Sequence, residues 1–348
     1  MKQTESTAII GLDSIEFTVH GEGMCLPKNG VVKLYNEDGT LKWSGENAIV
    51  IKGRFNAHNM TVRTMAGGTR LKVSVSPYGW KYGQNAFTPV DLRRATRGIL
   101  RDIQKITGLR PSPSKHGWDD TEIYLDRVDL NVFHRLPNED ICSEVVRQIK
   151  HVAVDANTTA HMRRNYVLIA PKDGRRIARR SYPKSPEIIE SGKCNDEALK
   201  QRLAKELVGH LRSEIQFRRE ALAEEGLDRV SDWTKERARS LFAKHYLAYG
   251  LFKLPRFKSF SAEVLVDLPL AIRRAVLIKS TGVDPVIAYS PARWKKISTI
   301  LRKAGWNPDE SWLPSETEIN LQDLLKLDNA VDEIPQWLID EGFYPKEK

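Results

Sequence analysis

Apolar and polar residues alternate through most of the first 80 positions. The segments DSIEFTVH, VVKLYN, LKWSG, AIVIKG, MTVRTM and TRLKVSVS are short, rich in Val, Ile, Thr and Phe, and partly alternating. That pattern predicts six strands. NEDGT (36–40) and Ala66-Gly67-Gly68-Thr69 supply the turns between neighbours. A Gly- and aromatic-rich stretch, SPYGWKYGQNAF, reads as a loop. A helix is expected to follow, with Thr88 as cap, Pro89 in the first turn and Asp91 at the third position. Its apolar face would carry Ile99, Ile103 and Ile106, and Gly108 would end it. Thr121–Phe133 alternates like a strand, and Pro137-Asn138-Glu139-Asp140 opens a helix with Ile141, Val145, Val146 and Ile149 inward. NYVLIA (165–170) and RIARRSY (176–182) read as strands joined by the turn PKDG, 195–208 as helix, and HLRSEIQFRRE (210–220) as a strand with one polar face. This order predicts an α+β fold, an antiparallel sheet with helices packed on one face. From about residue 227 the period becomes helical, so the chain divides into a strand-rich domain, 1–226, and a smaller helical domain, 227–348.

Charge narrows the function. The 348 residues carry a net +10, and the pI is near 9.4. Residues 163–184 concentrate the excess, from Arg163 and Arg164 through Arg175, Arg176, Arg179, Arg180 and Lys184, with only Asp173 opposed. The favoured partner is nucleic acid, with an anionic membrane second and plain surface solubility as the bland alternative. The three cysteines, Cys25, Cys142 and Cys194, are scattered and form no CxxC, which supports neither a zinc ribbon nor a disulfide framework. A reducing cytoplasm is the expected compartment. The N-terminus has no apolar core of signal-peptide length, and no run approaches membrane-spanning length.

Four constellations could carry chemistry. On the strand RVDLN, Arg127, Asp129 and Asn131 share one face. On LRSEIQFR, Arg212, Glu214, Gln216 and Arg218 do the same. An acid set in apolar alternation must be paired, hydrogen-bonded or metal-bound. Strands adjacent in one sheet could join Asp129 and Glu214 as ligands of a hard cation, Mg²⁺ or Mn²⁺; a solvated face with Arg–acid pairs is the alternative. In RRIARRSYPKS, Tyr182 sits among Arg179, Arg180 and Lys184. A phenol is a weak nucleophile near neutrality, and cations can stabilise its anion. An aromatic anchor at a strand end is the competing reading. In YGWKYGQNAF, the aromatics with Lys81, Gln84 and Asn85 could stack and hydrogen-bond unpaired bases, or simply fill their own loop. No paired-histidine metal motif and no GxxxxGK[ST] loop occur, and His20 and His134 read as structural.

As a set, in order, these pieces resemble the gene II replication initiators of filamentous phages. GQNAF (83–87) is similar to a family loop usually reading Gly-His-Asn-(Val)-Phe, with Gln84 in place of His. DRVDLNVFHRLPNEDI resembles the family's Ser-Arg-Ile-Asp strand and Pro-Asn-Glu helix start, RRIARRSYPKSPEI its Tyr-x-Lys element, and LRSEIQFRREAL its Arg-x-Glu strand. ARWKKISTILRKAGWNPDE (292–310) is similar to a C-terminal family helix. The resemblance spans roughly 78–310. It implies a site-specific single-strand endonuclease that nicks supercoiled origin DNA through a 5′-phosphotyrosine, and rejoins the displaced strand after rolling-circle synthesis. Tyr182 would be the nucleophile and Lys184 its electrostatic helper. Asp129 and Glu214 would bind Mg²⁺ or Mn²⁺, resting on the strand-face argument more than on the family. Arg175, Arg176, Arg179, Arg180, Lys81, Gln84 and Asn85 would contact DNA. The expected partners are single-stranded or supercoiled origin DNA and the host helicase and polymerase, with no membrane and with an oligomer on DNA compatible with the role. The expected location is the cytoplasm of the bacterial host. The rival reading is a non-catalytic DNA-binding regulator of phage or plasmid replication. Pro183 argues that Tyr182 stands at a strand end.

Overall fold

A computed structural model describes residues 8–346 apart from 22–23, 25–30, 47, 110–117, 153–157, 164–165, 172–175, 192–194, 250–257, 261–264, 267, 281–284, 304–307, 309–311 and 315–320. The six N-terminal strands form as β1 (Gly11–His20), β2 (Val31–Tyr35), β3 (Leu41–Glu46), β4 (Ile49–Ile51), β5 (Met60–Met65) and β6 (Arg70–Val75). The NEDGT turn closes through Asn36 N–H to Thr40 O at 2.8 Å, with Gly39 in the left-handed region at φ 79°. Before the C-terminal helices come five further strands: β7 (Ile123–Arg135), β8 (Thr158–Arg163), β9 (Tyr166–Pro171), β10 (Ile177–Pro183) and β11 (His210–Arg218). Nine of these strands make one sheet in the order β4-β5-β6-β1-β7-β11-β10-β9-β8. Every pairing in it is antiparallel. β2 and β3 pair separately.

The apolar face of the sheet is covered by α2 (Leu92–Thr107), α3 (Glu139–Val152) and α7 (Lys235–Tyr249), after the short α1 (Pro77–Tyr82). The short α6 (Arg219–Glu224) adds Leu222 to the same core. Phe17, Val128, Leu130, Ile215 and Phe217 share one buried cluster with Ile99, Ile103, Val145, Ile149 and Phe242. Burying each such side chain contributes about 1.5–3 kcal/mol. Asn138 caps α3 by accepting from Ile141 N–H at 2.9 Å. Ser181 and Ser213 place two hydroxyls in this layer and bond to each other at 3.2 Å.

Two local expectations are corrected. α2 begins at Leu92, because Asp91 rather than Thr88 caps it, accepting from Arg94 N–H at 3.0 Å. Its apolar face is Leu92, Ala95, Ile99, Leu100 and Ile103, while Ile106 is exposed. The aromatic stretch begins as the helical turn α1, because Pro77 suits a first helical position and Gly83 stops the turn at φ 80°. Tyr78 is buried, and Trp80 donates to Ile51 O at 3.3 Å. These rings serve the core.

The sheet's core continues beyond residue 226. Leu227, Val230, Trp233, Leu241 and Tyr246 belong to it, as do Leu325 and Ala330. Val331 N–H bonds Phe133 O at 2.9 Å, which returns the C-terminal segment to β7. Helices 270–280 and 291–303 bury a separate cluster of Ile272, Ala275, Val276, Ile297 and Leu301.

On the opposite face of the sheet, two helices pack at one end. There α4 (Lys184–Glu190) and α5 (Glu197–Glu206) pack Ile188, Leu199 and Leu203 against Phe133, Phe87 and the C-terminal residues Leu338 and Tyr344. At Gly11 the fold admits no side chain: a Cβ would meet Thr88 Oγ1 at 2.6 Å and Asn131 at 3.0 Å. Gly11→Ala is therefore expected to destabilise the protein by about 1–3 kcal/mol through overpacking, read as a lowered urea midpoint with an unchanged m-value.

Candidate active site

The remainder of that second face is polar and largely buried. Its order follows from strand register. Tyr182 of β10 lies opposite Arg212 of β11, and Arg180 lies opposite Glu214. On the other side of β11, Glu214 lies opposite Asn131 and Gln216 opposite Asp129. β7 in turn pairs with β1, where the register shifts between Leu12 and Ser14. Asp13 is the extra residue of this bulge, a device that re-aims a side chain. Its carboxylate meets Arg212 Nη2 at 3.1 Å and accepts from Asn85 Nδ2 at 2.6 Å.

Tyr182 is thereby surrounded. Its hydroxyl donates to Glu214 Oε1. The same oxygen is 3.0 Å from Arg212 Nε, and Glu214 Oε2 is 3.5 Å from Arg180 Nη1. Lys184 Nζ lies 5.7 Å from the centre of the Tyr182 ring. It pairs with Glu187 Oε2 at 2.6 Å and reaches Asn85 Oδ1 at 3.4 Å. Burial pushes the Tyr182 phenol well above its usual range. Arg212 opposes that shift, while Glu214, Glu187 and Asp13 add to it. The resting hydroxyl is therefore protonated, with Glu214 as the acceptor of its hydrogen. Burial also lowers the Lys184 ammonium, against the pull of Glu187.

Arg212 is 0 % exposed, and none of its N–H groups has a well-aligned hydrogen-bond acceptor, although Asp13 and Glu214 balance its charge. A buried guanidinium in that condition retains donor capacity for an added anion. A small, partly open pocket borders the cluster, lined by His58, Gln84, Asn85, Lys184, Glu187 and Ile188 among others.

The donor set can be tested against a divalent cation. Asp129 and Glu214 do lie on adjacent strands of one face, as the strand patterns suggested. Each is already engaged. Arg127 holds Asp129 through both oxygens, Nε to Oδ1 at 2.8 Å and Nη2 to Oδ2. Glu214 is held by Tyr182, Arg212 and Arg180. No group of three or more His, Cys, Asp or Glu residues converges to hold a metal among the described residues. The residues as arranged fit arginine pairing and do not fit Mg²⁺ or Mn²⁺, which would have to displace a guanidinium to bind.

Burial lifts the Asp129 carboxyl to about 6, against the opposing pull of Arg127 and with further upward pushes from Asp13 and Glu214. The folded state then holds this proton more tightly than the unfolded chain. The resulting stabilisation is full below the unfolded value of about 4 and is lost as pH rises through about 6. Asp129→Asn should flatten urea-derived stability between pH 4 and 6. Retention of the full slope in that variant would assign it to another group.

The expected DNA-contact residues do not form one surface. Arg180 shares the Tyr182 face, and its side chain is 42 % exposed. Arg179 lies opposite Ile169 and Ile215, on the other face. Arg176 is exposed and paired with Glu224. Lys81 is exposed and 3.3 Å from Asp102. Asn85 belongs to the Tyr182 cluster through Asp13. Gln84 is buried: its amide donates to Phe87 O at 2.8 Å and Phe343 O at 3.0 Å, and its carbonyl accepts from Ala86 and Phe87 N–H. It closes its own loop. Arg175 lies outside the described residues. His134 is buried, reaches Lys326 O at 3.1 Å, and is held neutral by burial, which lowers it to about 4.

Asp13 was not among the residues singled out in the sequence. Its signal is the pair Asp13-Ser14 between buried Leu12 and Ile15, a break in the two-residue period.

Residues 12–236 match the N-terminal model of the phage replication-associated proteins of the gene II type. The chain belongs to this family. The matched span contains the whole Tyr182 cluster, from Asp13 to Gln216, and membership implies a role in initiating rolling-circle replication of phage DNA. No curated protein matches the chain significantly. No described helix is long and apolar enough to cross a membrane.

Proposed function

We propose that this replication-associated protein nicks one strand at a DNA origin with Tyr182 and later rejoins it. The observation that carries this reading is the Tyr182 hydroxyl bonded to Glu214 and flanked by Arg212, Arg180 and Lys184. In the forward step the Tyr182 oxygen bonds to phosphorus and the bond from phosphorus to the 3′ oxygen breaks. Glu214 takes the phenol proton. Arg212 and Arg180 neutralise the phosphoryl oxygens, and Lys184 supplies a proton to the leaving 3′ oxygen. The products are a 5′-phosphotyrosyl strand and a free 3′ hydroxyl for host polymerase and helicase to use. Attack by a 3′ hydroxyl on that phosphotyrosine reverses the step, so rejoining needs no nucleotide triphosphate. Tyr182 is 5 % exposed, so DNA must displace the side chains over it before attack. Glu214 is assigned here as base, because its oxygens are engaged by Tyr182 and arginines.

The test is adduct capture. A 5′-labelled single-stranded origin oligonucleotide, incubated with the protein in chelator and in Mg²⁺, should release a labelled 5′ fragment ending in a 3′ hydroxyl. The 3′ fragment should remain attached to a peptide containing Tyr182. Attachment at another residue, or cleavage without attachment, would overturn the assignment. Binding without cleavage in either medium would favour a non-catalytic regulator.

A further inference from the structure

A second concentration of positive charge lies away from the Tyr182 segment in sequence. Residues 269–303 contain eight Lys and Arg residues against the single acid Asp284, a net +7 of the chain's +10. Helix 291–303 carries five of these cations and no acid. At 100° per residue, Trp294, Ile297, Ser298 and Leu301 fall on one side of that helix. Ile297, Ser298 and Leu301 are buried and Trp294 is half-buried. They pack on helix 270–280 through Ile272, Ala275 and Val276. Lys295, Lys296, Thr299, Arg302 and Lys303 fall on the opposite side, and all five are exposed. A short helix, 285–288, stands just before helix 291–303, separated from it by Tyr289 and Ser290.

We propose that the outward face of helix 291–303 is a second DNA-binding surface, for duplex DNA beside the nick, acting through phosphate contacts. This rests on the reading of the protein as one that acts on origin DNA. Two observations select the duplex. The face is a straight cationic stripe along a helix, a shape that the major groove of B-form DNA admits. It also presents no aromatic platform for unpaired bases, since Tyr289 and Trp294 are half-buried and stacked on each other at 6.2 Å. The helix is anchored by its apolar side, so the stripe is held outward without any contribution from the site at Tyr182. A nicking enzyme benefits from such a contact, because the duplex it has cut must be retained while one strand is melted.

The experiment uses the full chain in two variants, Lys295→Gln/Lys296→Gln/Lys303→Gln and the matching triple Lys→Arg. Fluorescence anisotropy with a duplex fragment over a salt series gives affinity and the slope of log K against log salt. Each phosphate contact contributes about 0.9 to that slope. The Gln variant should lower the slope by about 2–3 and weaken duplex binding at least about tenfold, while the Arg variant keeps both. Unchanged affinity and slope in the Gln variant would overturn the proposal. So would equal losses in both variants, which would mark a packing role. An equal loss on a single-stranded oligonucleotide of the same length would overturn the duplex assignment and place the displaced strand there. Cleavage of the single-stranded origin oligonucleotide should be unchanged in both variants. That arm reports on Tyr182 alone, so its failure in the unmodified protein is distinguishable from failure of the duplex contact.

Discussion

Tyr182→Phe should abolish the covalent protein–DNA adduct and lower nicking of supercoiled origin DNA by at least about 10³-fold, because it removes the attacking oxygen itself. It should leave the fold intact. The phenyl ring keeps its place at the end of β10, and Glu214 retains Arg212 and Arg180 after losing the phenol hydrogen. One hydrogen bond of net worth about 0.5–1.5 kcal/mol is lost. The variant should therefore bind origin DNA with near-native affinity and unfold within a few degrees of the parent. Supercoiled-plasmid nicking and a thermal melt on the same preparation separate the two effects. If the Phe variant nicks as fast as the parent, Tyr182 is an aromatic anchor and the nucleophile lies elsewhere.

Arg212→Met should have the largest effect on stability. This guanidinium is wholly buried between Asp13 and Glu214. Removing one partner from a buried charge cluster leaves the others without compensation, typically at a cost of about 3–5 kcal/mol. Methionine fills comparable length, so the loss is mainly electrostatic rather than a cavity. It should shrink in acid, because protonation relieves buried carboxylates left without a cation. Urea midpoints at pH 7 and pH 4.5 give the comparison: a large deficit at pH 7 and a smaller one at pH 4.5. An equal deficit at both would assign it to packing over Phe133, whose ring centre lies 5.6 Å from the Arg212 guanidinium carbon. Arg212→Lys should recover part of the stability, since it restores the charge without the planar fork.

Much of the architecture was legible locally. The six N-terminal strands, the NEDGT turn, the inward face of α3 and the end of α2 at Gly108 all follow from short-range patterns, and each appears where those patterns put it. The misplaced start of α2 shows the limit of such patterns. Thr88 and Asp91 are both good caps by residue type, and only the buried packing of the 84–88 loop against β1 leaves Asp91 to do it. The aromatic stretch stayed open between two readings for a related reason. Ring content is the same for a base platform and a core turn, and only burial of Tyr78 and the bond from Trp80 to β4 distinguish them.

By itself the sequence determined which residues share a strand face, since period two places Arg212 with Glu214 and Asp129 with Asn131 whatever the partners are. It also determined that Tyr182 would stand near a strand end, through Pro183. The tertiary structure decided what those faces meet. β11 lies between β7 and β10, so Tyr182 reaches Glu214 across 32 residues of chain. The same register turns Arg179 away from the site and sets the paired acids against arginines. The bulge that brings Asp13 to Arg212 was decided there as well. Alternation is a local property of the backbone, whereas strand order and register are non-local pairings, chosen by which buried faces close together over the whole core.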